Sequence, residues 1–195
     1  MPIREVMIYG EPVLRRKARP VREVEEEPHR LFADMIETLI EEVGLGLAAP
    51  QVGAPLQAIV VREDAEPDQP VHRILNPRLV HRSAEEECTR EGCLSLPTLR
   101  AEVWRPERVV VTGLSPEGEK IELEAEGILA RALQHEIDHL RGVLFTDRAE
   151  PGSLVWMIPD EAEEEGFKFE STTMREAEEA FERMRRRRAA KKGTE

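Results

Sequence analysis

The chain of 195 residues predicts an α+β fold, with antiparallel sheets packed around a buried helix and a further helix at the C-terminus. Three observations carry that expectation. The β-rich segments of the middle follow one another with no helix between them, which favours antiparallel pairing. Helical periodicity brackets them, at residues 28–43 and 127–141. A third helical pattern begins near residue 173.

The first helix rests on Leu31, Phe32, Met35, Ile36, Leu39, Ile40 and Val43, which recur on one face. Pro28 suits a first helical turn, and Gly44 is placed to close the helix in a left-handed conformation. The strand segments expected are Leu56–Arg62, His72–Leu75, Arg78–Ser83, Arg108–Leu114 and Lys120–Ala125. Pro67, Pro70, Pro77, Pro97, Pro106 and the turn at Ser115 to Gly118 separate them.

In the second helix, Ile128, Leu129, Ala132, Leu133, Ile137 and Leu140 cover most of the circumference, so it should be buried, with Gly142 as its stop. The terminal helix has Thr173 and Glu176 as a capping box and a narrow stripe of Met174, Ala177, Phe181 and Met184. Two units are expected: a catalytic domain over residues 1–150, and an extension over 151–195 made of an apolar run, an acidic linker and the basic-ended helix.

Composition narrows the function. At 40% hydrophobic and 4% aromatic, the core must be mainly aliphatic. A net charge of −12 repels phosphates and argues against DNA as a partner. No stretch reaches the length of a membrane span, and the N-terminus has no apolar signal core, so the expected location is the cytoplasm. The cysteines, Cys88 and Cys93, do not form a CxxC pair, and in a reducing compartment a working cysteine is a ligand or nucleophile.

The strongest local signal is the run His135-Glu136-Ile137-Asp138-His139. Four residues rise roughly 6 Å along a helix, so both imidazoles leave one face and can share one ion. Glu136 sits beside them and can take a proton from an attacking water. In a buried helix, these polar groups would otherwise need other partners.

A catalytic site of this kind needs a third protein ligand. No histidine follows His139, and most downstream carboxylates lie in charge runs. The upstream candidate is Cys93, in Glu91-Gly92-Cys93-Leu94-Ser95; Cys88 reads as a bystander, although residue counts alone leave that choice open. A third segment, Gly44-Leu45-Gly46-Leu47-Ala48-Ala49-Pro50-Gln51, allows close backbone approach and offers the Gln51 amide as a neutral donor. By itself it also reads as a tight connection from helix to strand.

Taken together, GLGLAAPQ, EGCLS and QHEIDH, in this order and about 40 residues apart, resemble the three signature motifs of the peptide deformylase family. The resemblance spans about residues 1–150, and Pro50 stands where the family has a smaller residue. It implies Cys93, His135 and His139 as metal ligands and Glu136 as general base and then proton donor. It also implies that Gln51 and the backbone N–H of Leu94 stabilise the oxyanion. The implied reaction converts an N-formylmethionyl nascent peptide and water into formate and a free N-terminus.

The methionine pocket should include Ile128 and Ala132, which share a helix face with His135. Leu45 and Gly46 correspond to substrate-contacting positions, and Arg100 is a further candidate for peptide contact. The family resemblance implies Fe(2+) as the native ion, with Zn(2+) as the alternative that affinity alone would favour. Asp138 is a candidate support for a ligand.

The basic cluster of Arg183, Arg185 to Arg188, Lys191 and Lys192 suggests ribosome contact, although acidic residues before basic ones is also the charge order a helix dipole favours. Two rival readings share the helix motif. A metallopeptidase would use a downstream third ligand. A non-catalytic metal module would close its site with Cys88.

Overall fold

The structure, a computed structural model, describes residues 3–22, 26–64 and 69–192; Pro67 lies outside them. Helix α1 runs Glu26–Glu41 and helix α2 Gly127–His139, with helix α3 at Met174–Lys192. The strands are β1 Gly46–Ala48, β2 Ala58–Arg62, β3 Val71–Arg82, β4 Glu86–Cys93, β5 Leu96–Pro106, β6 Arg108–Leu114, β7 Lys120–Glu126, β8 Val155–Pro159 and β9 Phe167–Ser171. One sheet has the order β1-β2-β3-β6-β7, the other β4-β5-β8-β9, and every pairing within them is antiparallel.

The first sheet is covered on both faces. Ile59 and Val61 of β2 pack with Ile74, Val109 and Val111 against Leu133, Ile137 and Leu140 of α2 and its C-terminal end. Ala58 and Val60, on the other face, meet Leu31, Phe32, Met35 and Leu39 of α1. All five residues of β2 are therefore buried, and its continuous apolar run has two helices to satisfy it. Each fully buried aliphatic side chain contributes about 1.5–3 kcal/mol relative to exposure. That burial fixes α2, with its polar motif, against the sheet.

The second sheet has its own core. Leu99, Ala101 and Val103 of β5 alternate inward and pack with Phe145, Ala177 and Phe181. Helix α3 thus seals this core, starting from a complete capping box in which Thr173 Oγ1 and the Glu176 carboxylate satisfy each other's backbone.

Several local expectations change. The expected left-handed stop of α1 falls on Val43, with φ of 52°, and not on Gly44, because the Gly44 N–H must turn back to Leu39 C=O at 3.0 Å. The two segments expected at His72–Leu75 and Arg78–Ser83 form one strand. There Asn76 takes a φ of 49° and exchanges two 2.8 Å hydrogen bonds with the Val21 backbone, absorbing Pro77 in a register shift. Strands β1, β4, β5, β8 and β9 lie outside the strand segments expected. Residues 86–91 are charged on the outward face, which hides the alternation. No helix among the described residues is long and apolar enough to cross a membrane.

Candidate metal centre

Helix α2 and the end of β4 place three buried donors together: Cys93, His135 and His139 have ligand atoms all within 4.8 Å of one another. Cys93 Sγ and His139 Nε2 are 3.2 Å apart. The edge of a tetrahedral site with nitrogen and sulfur ligands is about 3.3–3.7 Å, so one divalent ion fits between these donors with little movement. No downstream carboxylate and no Cys88 belongs to the group among the described residues. Cys88, five positions back along β4 and paired with Trp104, is a bystander to it. The three protein donors leave a position open, which distinguishes this arrangement from a closed structural site.

The ring of His135 is oriented by its other nitrogen. Nδ1 lies 3.0 Å from Glu91 Oε2, leaving Nε2 for an ion. Glu91 is itself held by a bidentate pair with Arg105, at 2.8 and 3.0 Å, and by Arg131 at 2.8 Å. Arg105 reaches on to Asp138 at 2.6 Å, and Arg148 clamps Asp138 from the far side at 2.6 and 2.7 Å. Asp138 is buried, and the hydrogen bonds of Arg105 and Glu91 link it to His135.

The charges follow from these contacts. Burial alone would raise the Glu91 carboxyl, but bonding to His135 and Arg105 holds it well below the usual carboxylate range. For His135, burial acts to lower the proton affinity, and the Cys93 sulfur and Glu91 overcome it, so the ring is held well above its ordinary value. His139 moves well below its own, through burial first and then the neighbouring His135 charge. In the absence of an ion, positive charge is thus favoured on His135 and disfavoured on His139 beside it.

Glu136 is buried against this group, and burial, the largest influence, pushes it up to about 7 despite the opposing charge of His135. Its Oε2 has no hydrogen-bond partner among the described residues. The carboxylate packs onto Gly46 of β1, where a Cβ would lie 2.5 Å from Oε1, so a side chain at position 46 would displace Glu136. Gln51 enters from the turn after β1. Its Oε1 accepts from the Ala48 N–H at 2.7 Å, which forces the amide NH2 toward Cys93 Sγ at 3.4 Å and Ser95 Oγ at 3.3 Å.

These groups line one end of a cleft of about 670 Å³. Leu45, Gly46, Gln51, Cys93, Leu94, Arg100, Ile128, Ala132, His135 and Glu136 all border it, and His139 stands within the donor group beside Cys93 and His135. Ile128 is half exposed at the mouth, and Ala132 is buried deeper. The supporting residues Glu91, Arg105, Arg131 and Arg148 were not singled out in the sequence. Two signals were there: Glu91 shares the strand face of Cys93, and Arg105 continues the inward alternation of Leu99, Ala101 and Val103.

A buried HExxH helix, a thiolate-capable third donor, an unpaired carboxylate and an open cleft define a metallohydrolase. The model of the polypeptide deformylase family matches residues 3–154. A peptide deformylase of Natranaerobius thermophilus is 47% identical over 150 residues, covering 77% of this chain and 94% of that protein. The crystal structure of the Thermotoga maritima peptide deformylase superposes with a TM-score of 0.73 at 38% identity, covering 77% of this chain and 100% of the other. That of Synechococcus elongatus superposes with a TM-score of 0.74, also at 38% identity, covering 77% and 83%. The chain belongs to the polypeptide deformylase family.

Proposed function

We propose that this chain removes the formyl group from the N-terminal methionine of nascent polypeptides, with residues 1–150 carrying the chemistry and residues 151–195 built on as an extension. The observation that carries this reading is the meeting of Cys93, His135 and His139 beside the buried, unpaired Glu136 at the end of the cleft. In this reading Cys93, His135 and His139 are the ligands of one divalent ion. When bound, such an ion supplies Lewis acidity, acidifying water and drawing electron density from the formyl carbonyl.

The chain's own residues do the rest. Glu136, with a proton affinity near neutrality, takes the proton as water oxygen bonds to the formyl carbon. It returns that proton to the amine nitrogen as the carbon–nitrogen bond breaks, so the products are formate and a free N-terminus. The Gln51 NH2, already aimed by the Ala48 N–H, and the Leu94 backbone N–H receive the charge that develops on the formyl oxygen. Donors so placed are worth about 3–4 kcal/mol each in the transition state. Ile128 and Ala132 hold the methionine side chain. Leu45 and Gly46 present backbone to the peptide in strand fashion, and Arg100 contacts it further out.

The family resemblance supports Fe(2+) as the native ion, with Zn(2+) accommodated by the same donors. Such a protein works in the cytoplasm, where nascent chains emerge. Exposed Arg183 and Arg187 support a contact with the ribosome, while other members of the basic cluster are engaged within the protein. Arg188 donates to Val6 C=O at 2.8 Å, and Lys192 pairs with Glu5. Removing residues 183–195 should weaken ribosome co-sedimentation at low salt; unchanged sedimentation defeats that contact.

The deciding experiment compares formate release from formyl-Met-Ala-Ser with cleavage of Met-Ala-Ser, on anaerobically purified protein with its metal measured. Formate from the first, and no cleavage of the second, is expected. Peptide-bond cleavage of Met-Ala-Ser would instead favour a metallopeptidase.

A further inference from the structure

The family match ends at residue 154, yet the cleft does not. Met157, on β8, borders the same cavity as Cys93 and His135. Strand β8 is hydrogen-bonded to β5 through Leu99–Trp156 and Arg100–Val155, and β9 continues the sheet through Met157–Phe169. Trp156 faces inward, with its ring 5.7 Å from that of Phe181. Its neighbour Met157 therefore faces the opposite side, together with its partner Phe169.

Other residues share that outer face. Leu99 is buried in the core, so Arg100 beside it points outward. Arg100 lies over Gly92, where a Cβ would meet its guanidinium at 2.4 Å, so glycine there lets the arginine border the cleft. The Arg90 guanidinium sits 4.0 Å over the Phe169 ring. That contact ties β4, at the cleft edge, to the β8–β9 hairpin. Met157 is thus an apolar border of the cavity that holds the metal donors, with Phe169 beside it on β9 under the Arg90 guanidinium.

We infer that the β8–β9 hairpin supplies a specificity subsite in which Met157 receives a large apolar side chain of the substrate peptide, downstream of its formyl-methionine. The inference rests on the deformylase reading of the same cleft. An extended peptide anchored at Cys93, His135 and Glu136 runs outward at about 3.3 Å per residue, so its second to fourth residues are those in reach of the rim. A thioether beside an aromatic ring adapts to varied apolar shapes and offers no hydrogen bond to a polar one.

The test is a set of formyl-Met tetrapeptides in which positions two, three and four carry Leu, Phe, Ser or Lys in turn, with kcat/KM read from formate release. At one of these positions the wild type should prefer Leu or Phe over Ser by about 5–20-fold, the range that a small apolar contact supplies. Met157→Ala should reduce that ratio at least threefold. Met157→Glu should turn the preference toward Lys, a reversal that a merely structural role for Met157 would not produce. Wild-type ratios near one at all three positions, or ratios unmoved in both variants, overturn the subsite while leaving deformylation intact. Absence of formate from every peptide defeats the deformylase reading, and the subsite with it.

Discussion

The Nδ1 atom of His135 lies 3.0 Å from Oε2 of Glu91, and both groups are buried. One hydrogen bond thus couples a candidate ligand on α2 to a carboxylate on β4, and through Arg105 and Asp138 back to α2 one turn later. Removing the charge of Glu91 should therefore do two things. Glu91→Gln should weaken metal retention against a chelator by about 10–100-fold, as loss of such a support usually does. It should also destabilise the fold by about 1–3 kcal/mol, because buried Arg105 then keeps Asp138 as a charged partner but loses Glu91. Chelator competition and urea denaturation read the two effects separately.

The same carboxylate shapes the acid limb of stability. Its folded proton affinity is depressed below the ordinary value of 4.5, so its contribution is present above that pH and fades as pH falls. Wild-type stability should drop on acidification below about pH 4.5. The Glu91→Gln variant, already without that contribution, should show a shallower decline in denaturation series across this range.

Glu136 has the opposite sign. Its carboxyl is raised from 4.5 to about 7, so in metal-free protein the folded state holds a proton that the unfolded chain releases. Stability should then fall as pH rises from 4.5 to 7, by about 3 kcal/mol for a difference of that size. Metal-free Glu136→Gln should escape the penalty: more stable than wild type at pH 8, and similar at pH 4. Parallel curves for the two proteins would contradict the burial argument. The same variant should release no measurable formate.

At position 51, the amide is oriented by its own oxygen. Glu in its place could still accept from the Ala48 N–H, but its second oxygen would face the developing negative charge. Gln51→Glu should lower kcat by about 10²–10³-fold with metal content unchanged. An equal loss of bound metal would point to a structural effect instead.

The cysteines should separate cleanly. Cys93→Ser should lose most of its bound metal on dialysis, whereas Cys88→Ser should keep it, since Cys88 stands apart from the three donors. Metal analysis of both after identical dialysis decides the matter.

Much of this was legible in the chain. Strand β6 falls on the segment expected, Arg108–Leu114, because Val109, Val110, Val111 and Thr112 are consecutive β-branched residues that favour extended backbone. The capping box at Thr173 and the stripe of α3 behave as local rules require. Strands β4 and β5 escaped because β4 carries charge on its outward side and β5 hides Arg105 among its inward apolar residues. A pattern read by hydrophobicity passes over a strand whose buried positions hold Glu91 and Arg105.

The sequence by itself determined which residues carry donors and bases, and the α+β arrangement around the HExxH helix, because those depend on residue type and on spacing along the chain. Only the tertiary structure brought Cys93, which the motifs already singled out, to the imidazoles, and joined Glu91, Arg105 and Asp138 into one buried chain of charge behind them. It also decided that Met157, beyond the end of the family match, borders the cleft. Burial and contact between distant segments set proton affinities and pairings, and both are properties of three-dimensional packing that no local pattern encodes.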